Sequence, residues 1–201
     1  MGVTPQQFKQ MKSRVSGGRR AVTPVFTTGL RTTHRRQVIL GIDPSLRGTG
    51  FGVICPGKPH PQTLAQGTIV CPAGWEHSRC LVRIARTLRD VVERYRPTVC
   101  VVEGLFYAQN LRTALVMGEV RGAALVAAAE AGMEIYEIAP RKVKQAIVGY
   151  GAAQKMAVAK MVQRLLNLPE PPEPDAADAL ALALTHAQEN GRYTVTAPKR
   201  I

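Results

Sequence analysis

The chain has 201 residues, 45% of them hydrophobic, and a formal net charge of +13. This length favours one globular domain with an ordinary core, and no apolar run reaches the roughly 18 residues that a membrane-spanning helix needs. Residues 1–36 contain eight of the 27 basic residues and no Asp or Glu, so the rest holds 19 basic and 14 acidic residues. The rest of the chain is therefore only mildly basic, and charge alone does not identify a nucleic-acid-binding domain.

Residues 1–36 are rich in Thr, Arg, Gly and Ser and have little apolar periodicity, which predicts a disordered basic arm. An arginine-rich start without acidic residues is also typical of an organelle transit peptide, and this alternative stays open. The four cysteines lack C-x-x-C spacing, which disfavours a zinc or dithiol site. Cys55 and Cys100 fall in apolar segments and indicate buried thiols in a reducing compartment.

From residue 37 the apolar pattern becomes regular. It predicts strands at 37–43, 49–55 and 63–70, followed by an amphipathic helix at 78–95 that Pro97 ends. The pattern of the second half predicts two more strands, at 99–103 and 134–138. It also predicts helices at about 110–131, 140–148, 153–167 and, after a proline-rich connector, 175–189.

This order of elements predicts an α/β domain at 37–190, with a mixed five-stranded sheet flanked by helices, and a C-terminal tail at 191–201. The Ala-Leu alternation near the C-terminus mimics a strand, but its length and its strong helix formers favour a helix that is buried on most sides.

Four acidic residues stand at the ends of these elements. Asp43 ends the first strand, Glu103 ends the fourth, and Asp175 and Asp178 lie three residues apart on one face of the last helix. Taken singly, each of the three aspartates also fits a structural role, as a turn former, a helix cap or a partner of the helix dipole. Together they favour divalent metal ions, since carboxylates at buried ends are costly unless a cation holds them. Metal-bound carboxylates in a basic protein indicate phosphodiester chemistry.

The acids lie in blocks that resemble the RuvC family of bacterial Holliday-junction resolvases, the crossover junction endodeoxyribonucleases. These blocks are Gly41-Ile42-Asp43-Pro44 with Thr49-Gly50-Phe51-Gly52-Val53, then Val102-Glu103, then Asp175-Ala176-Ala177-Asp178 with Thr185-His186. The resemblance covers about residues 37–187 and implies a ribonuclease-H-like fold. It also implies a homodimer that resolves four-way DNA junctions by paired symmetric nicks, in recombination and repair.

In this resemblance the catalytic, metal-binding acids are Asp43, Glu103, Asp175 and Asp178. They imply Mg²⁺-dependent hydrolysis with two ions in each active site, for which Mn²⁺ can substitute. The resemblance further implies a cytoplasmic, nucleoid-associated protein that works with the RuvA–RuvB branch-migration complex.

Other residues match DNA-handling positions of the family. Lys144 and Lys155 match basic residues near the cut phosphate, and Phe106 matches an aromatic residue that enters the junction and stacks on a base. Solvated lysines and a core phenylalanine are the structural alternatives. Arg141 and Lys142 are interpreted as parts of solvated helix faces, with phosphate contact as the alternative.

A glycine pair and a histidine are interpreted in structural terms. Gly118 and Gly122, on either side of Arg121, allow close approach of another helix, either across a dimer or within the fold. His186 is interpreted as a core or helix-end histidine rather than a ligand.

Three other functions share features of this sequence. A ribonuclease-H-like nuclease acting on structured RNA and a non-catalytic junction-binding protein stay open as alternatives. The third, an actin-like kinase or chaperone ATPase, shares the Gly41-Ile42-Asp43 pattern, but the chain is too short for its two lobes.

Overall fold

The structure, a computed structural model, describes residue 6 and residues 37–104, 111–189 and 199–201. The strands in these ranges are β1 (Ile39–Asp43), β2 (Gly48–Cys55), β3 (Gln62–Val70), β4 (Val99–Glu103), β5 (Glu134–Ile138) and β6 (Lys199–Arg200). The helices of the folded domain are α1 (His77–Tyr95), α2 (Leu111–Glu130), α3 (Pro140–Val148), α4 (Lys155–Leu165) and α5 (Pro174–Glu189). Apart from β6, each has a counterpart in the sequence prediction, with bounds that differ by two residues at most.

The strands form one mixed sheet in the order β3-β2-β1-β4-β5-β6. β1 pairs antiparallel with β2 and parallel with β4, and β4 pairs parallel with β5. The predicted mixed α/β fold is confirmed, but the sheet has six strands, one more than expected. The extra strand β6 has only two residues, too few to show an apolar alternation, and it lies where a tail was predicted.

Helices cover both faces of the sheet. α1 and α2 pack on one face, around side chains such as Ile84, Leu88 and Val120. α3, α4 and α5 pack on the other face, around Val143, Val162 and Leu180. Among the described residues, no helix combines the length and the apolar character needed to cross a membrane.

Helix α5 lies unusually close to the sheet because glycines form the surface beneath it. A Cβ atom on Gly41 of β1 would overlap the backbone oxygen of Ala179, and one on Gly52 of β2 would lie 2.7 Å from the Leu180 side chain. The small residues of α5 complete this contact, and every residue from Ala179 to His186 is buried. The prediction of a helix buried on most sides is confirmed, and this packing fixes where the first turn of α5 lies relative to the ends of β1 and β2.

Candidate active site

Two of the four predicted acids meet because β1 and β4 are parallel neighbours. Ile42 is in register with Val102, so Asp43 and Glu103 follow at adjacent strand ends on the same edge of the sheet. Asp178, in the first turns of α5, faces the same space. The three carboxylates line one cavity of about 210 Å³, the acid cavity, together with Pro140, Val143, Lys144, Lys155, Val158 and Leu182.

The acid cavity concentrates negative charge in a partly buried place. Burial raises the pKa of Asp43 to about 8, with further contributions from the charges of Glu103 and Asp178 and from a hydrogen bond with Glu103, while Lys155 opposes the rise. Burial also raises the pKa of Glu103 above its usual value; the nearby Asp178 adds to the rise, while Lys155 and Lys144 oppose it. Without a cation, the Asp43–Glu103 pair therefore retains a proton near neutral pH.

Two lysines supply positive charge beside the acids. Lys155, at the start of α4, donates a hydrogen bond from Nζ to Oδ2 of Asp178 at 3.0 Å. This contact, with the charges of Asp178, Asp43 and Asp175, raises the pKa of Lys155, so its ammonium stays charged. Lys144 of α3 lines the same cavity. The structure thus places both predicted lysines next to the acids.

The fourth acid, Asp175, stands at the edge of the acid cavity. Its Oδ2 atom lies beside β2, where a Cβ atom on Gly48 would be 2.6 Å away. Its charge acts on Lys155 but its side chain is not part of the cavity lining. In the described part of the chain, no three His, Cys, Asp or Glu side chains are gathered as ligands around one point. A bound ion would therefore require the carboxylates to turn toward it.

The donor set itself fits a hard divalent cation. All the candidate ligands are carboxylate oxygens, which Mg²⁺ and Mn²⁺ prefer. Asp43 and Glu103 are held apart from bulk water, and mutual repulsion raises the pKa of Asp43, so a cation would relieve an unfavourable interaction that the fold imposes.

The family that is described as crossover junction endodeoxyribonuclease RuvC matches residues 39–186 of the chain. The chain belongs to the RuvC family. The RuvC of Caldanaerobacter subterraneus is 42% identical over 153 residues, which is 76% of this chain and 93% of the relative. The RuvC of Akkermansia muciniphila is 45% identical over 148 residues, 74% of this chain and 89% of the relative. The curated relatives are named crossover junction endodeoxyribonucleases, so the family is one of hydrolytic nucleases.

A solved structure of T. thermophilus RuvC, in complex with a Holliday junction substrate, superposes with a TM-score of 0.74. It is 36% identical to this chain, and the match covers 82% of this chain and 99% of the other. The predicted RuvC fold is confirmed.

The remaining sequence predictions have different outcomes. Phe106 and its neighbour Tyr107 lie outside the described residues, so the stacking assignment stays a prediction. His186 is 1% exposed and its ring lies 4.7 Å from that of Tyr136, which confirms a core histidine. Lys142 is only partly exposed and forms a salt bridge of 2.7 Å with Glu189, so it is not a freely solvated residue.

For the segment around Arg121, the structure disfavours one of the two alternatives, close helix packing within the fold. No described atom lies within 4 Å of a Cβ built on Gly118 or Gly122, so these glycines do not serve close packing inside the described fold. Arg121 points inward, where it is buried and forms a salt bridge with Glu137 of β5. A Cβ atom on Gly104, directly after Glu103, would lie 3.3 Å from Cγ of Glu137. Sequence reasoning missed this ion pair, because nothing in the sequence shows that Arg121 points into the fold rather than into solvent.

Proposed function

We propose that the protein cuts four-way DNA junctions by metal-dependent hydrolysis of phosphodiester bonds, with Asp43, Glu103, Asp175 and Asp178 as its catalytic acids. The acid cavity carries this proposal: three of these acids line it between two lysines, in a chain of the RuvC family. T. thermophilus RuvC, a protein 36% identical to this chain, has been solved with a Holliday junction substrate.

The residues divide the work by their positions. Asp43 and Glu103 offer carboxylate oxygens from the ends of two neighbouring strands, while Asp178 closes the site from α5. Two Mg²⁺ ions, when bound, would activate a water and offset charge at the leaving oxygen. Lys155 holds Asp178 in place through its 3.0 Å hydrogen bond, and Lys144 faces the phosphate.

Metal binding is expected to release protons. Because the pKa of Asp43 is about 8 in the folded protein, this carboxyl is largely protonated at pH 7 and must ionise when it binds an ion. The apparent affinity for Mn²⁺ should therefore rise between pH 6 and about pH 8 and level off above it. Calorimetry in buffers of different ionisation enthalpy measures the released protons. Asp90→Asn, on the exposed side of α1, is the control, and a pH-independent affinity without proton release would contradict the assignment.

A homodimer is part of the proposal, and one surface supports it. Three apolar side chains of α2 are 51–76% exposed, those of Leu111, Leu115 and Val126. They lie on the same stripe of the helix as Gly118 and Gly122, which have no described atom within 4 Å of a built Cβ. A second copy that covers this stripe would explain why an apolar helix face points outward.

Leu115→Lys is therefore expected to shift the protein from dimer to monomer at micromolar concentration, since a buried unpaired lysine opposes association. Sedimentation velocity measures the change. Val70→Lys is the matched control, because Val70 is 56% exposed but lies on the edge strand β3. Equal dimerisation of Leu115→Lys and wild type would place the interface elsewhere.

For the basic arm, deletion of residues 1–36 is expected to leave cutting unchanged and to weaken the salt-sensitive part of DNA affinity. The arm carries eight basic residues and no acidic one, so its contacts would release counterions from DNA. Junction affinity measured over a range of salt concentrations gives the slope for both chains. An unchanged slope would show that the arm does not touch DNA.

The function is tested with a synthetic mobile four-way junction, Mg²⁺ and mapping of the cut positions. Paired cuts at symmetric positions support the proposal. Cutting of structured RNA in preference to the junction, or binding without cutting, would favour one of the two alternatives instead. Base stacking by Phe106, cooperation with RuvA–RuvB and a cytoplasmic, nucleoid-associated location are proposed from the family resemblance alone.

A further inference from the structure

A second and larger cavity adjoins the acid cavity. Its volume is about 720 Å³, and it shares Pro140 and Lys144 with the acid cavity. The other residues that line it are Arg141, Gln145, Gly149, Tyr150, Gly151 and Ala152. The two cavities differ in charge: among the described residues, three carboxylates line the acid cavity, whereas two cationic side chains and no acid line the second. A DNA strand whose phosphate lies at the acids would continue past Lys144 into this basic space.

The loop that follows α3 presents Tyr150 to this cavity. Gly149 adopts a φ of 83° and donates its N–H to the carbonyl of Gln145 at 2.9 Å, which ends the helix in a conformation that favours glycine. Gly151 lies against Arg141, where a Cβ atom would be 2.9 Å from Cγ. Both neighbours of Tyr150 are thus fixed by local geometry, yet Tyr150 itself is 64% exposed. An aromatic side chain held outward beside a cavity offers a flat face to a ligand.

The charges of the second cavity are available for a ligand. Among the described residues, neither Arg141 nor Lys144 forms a salt bridge, in contrast to Lys142 and Lys155 on the same pair of helices. A guanidinium and an aromatic ring that line one roomy cavity suit one nucleotide, which carries a phosphate and a base. A cavity of about 300–1,000 Å³ is the usual size for a ligand of that class.

We propose that the second cavity binds the nucleotide next to the scissile phosphate on the cut strand, with its base stacked on Tyr150 and its phosphate at Arg141. This inference rests on the proposed function, because it assigns the strand that enters the acid cavity. It adds a specificity-determining contact, since purines and pyrimidines stack with different strength.

The test is a thermodynamic cycle between the side chain and the base. Wild type, Tyr150→Ala and Tyr150→Phe are assayed on a junction that is intact or that has an abasic residue on either side of the cut. Because stacking contributes about 1–3 kcal/mol per base, Tyr150→Ala should lower the single-turnover rate on the intact junction, measured with protein below saturation, roughly 5- to 150-fold, and Tyr150→Phe should restore most of it. At one of the two abasic positions, Tyr150→Ala should cause no further loss.

A second variant tests the phosphate contact. Arg141→Gln should reduce the slope of log affinity against log salt by about one, the change expected for one lost phosphate contact. Arg86→Gln serves as the matched control, because Arg86 is an exposed arginine of α1, on the opposite face of the sheet. Circular dichroism confirms that each variant is folded.

Two results would overturn the inference: a Tyr150→Ala rate equal to wild type, or a penalty that persists at both abasic positions. The same variants and junctions are also compared by their binding affinity in EDTA, a measurement that does not require cutting. A wild-type protein that binds junctions but never cuts them would refute the proposed function, while the affinity cycle would still decide whether Tyr150 stacks on the adjacent base.

Discussion

Asp43→Asn is expected to abolish cutting of a four-way junction in Mg²⁺ while junction affinity stays close to that of wild type. The substitution removes a carboxylate ligand at the end of β1 but keeps the size and hydrogen-bonding capacity of the side chain. Loss of one preorganised electrostatic group typically lowers the rate by about 10²–10³-fold, and loss of a metal ligand should exceed that range. Affinity should stay close to that of wild type, because the Asp43 carboxyl is largely neutral at pH 7 before an ion binds and asparagine is neutral as well.

The same variant has a second signature, in stability without metal. The pKa of Asp43 rises from 3.8 to about 8 on folding, so this carboxyl makes the folded state progressively less stable as pH increases from about 4 to about 8. Asparagine does not ionise. The Tm of Asp43→Asn should therefore equal that of wild type near pH 4 and exceed it by several degrees at pH 8.5. For a chain of this size, about 1 kcal/mol of stability corresponds to roughly 2–4 °C in Tm.

Thermal unfolding in EDTA at the two pH values, together with single-turnover cutting, checks both signatures. Asp90→Asn removes an exposed carboxylate of α1 and should change neither. Normal cutting by Asp43→Asn would refute the role of the acid cavity. A Tm difference that does not vary with pH would show that Asp43 is not held in a repulsive, desolvated place.

Asp43 and Glu103 were predictable because each ends an apolar run. Once β1 and β4 are neighbouring parallel strands, Asp43 and Glu103 must meet at one edge. The position of α5 was harder to predict. Its composition indicates a helix, but its contact with the sheet depends on which face of β1 and β2 is free of side chains. Gly41, Gly50 and Gly52 reveal this only when the strands are paired in the observed register.

Other features leave no local trace in the sequence. The ion pair between Arg121 and Glu137 joins α2 to β5, and from the sequence alone each residue would be assigned to the surface. The exposure of Tyr150 depends on two flanking glycines whose roles differ, one ending a helix and one accommodating Arg141. Long-range juxtapositions of this kind follow from the tertiary packing rather than from periodicity.

The same glycine surface makes Gly50 the position where one methyl group should do the most damage to both fold and site. Gly50 pairs with Asp43 across β1 and β2, and a Cβ atom there would overlap the backbone carbonyl of Asp175. Backbone cannot turn aside as a side chain does, so α5 must shift and carry Asp175 and Asp178 away from β1.

Gly50→Ala is therefore expected to lower the free energy of unfolding by about 3 kcal/mol or more, and to reduce cutting even at temperatures where the protein is folded. Urea unfolding and single-turnover cutting measure the two effects. Gly67→Ala should have a smaller effect, because a Cβ there would meet only the ring of Phe51, at 3.1 Å. Gly74→Ala should have almost none, since no described atom lies within 4 Å of its Cβ. If all three variants were equally stable, close contact between α5 and the sheet would not be what positions Asp175 and Asp178.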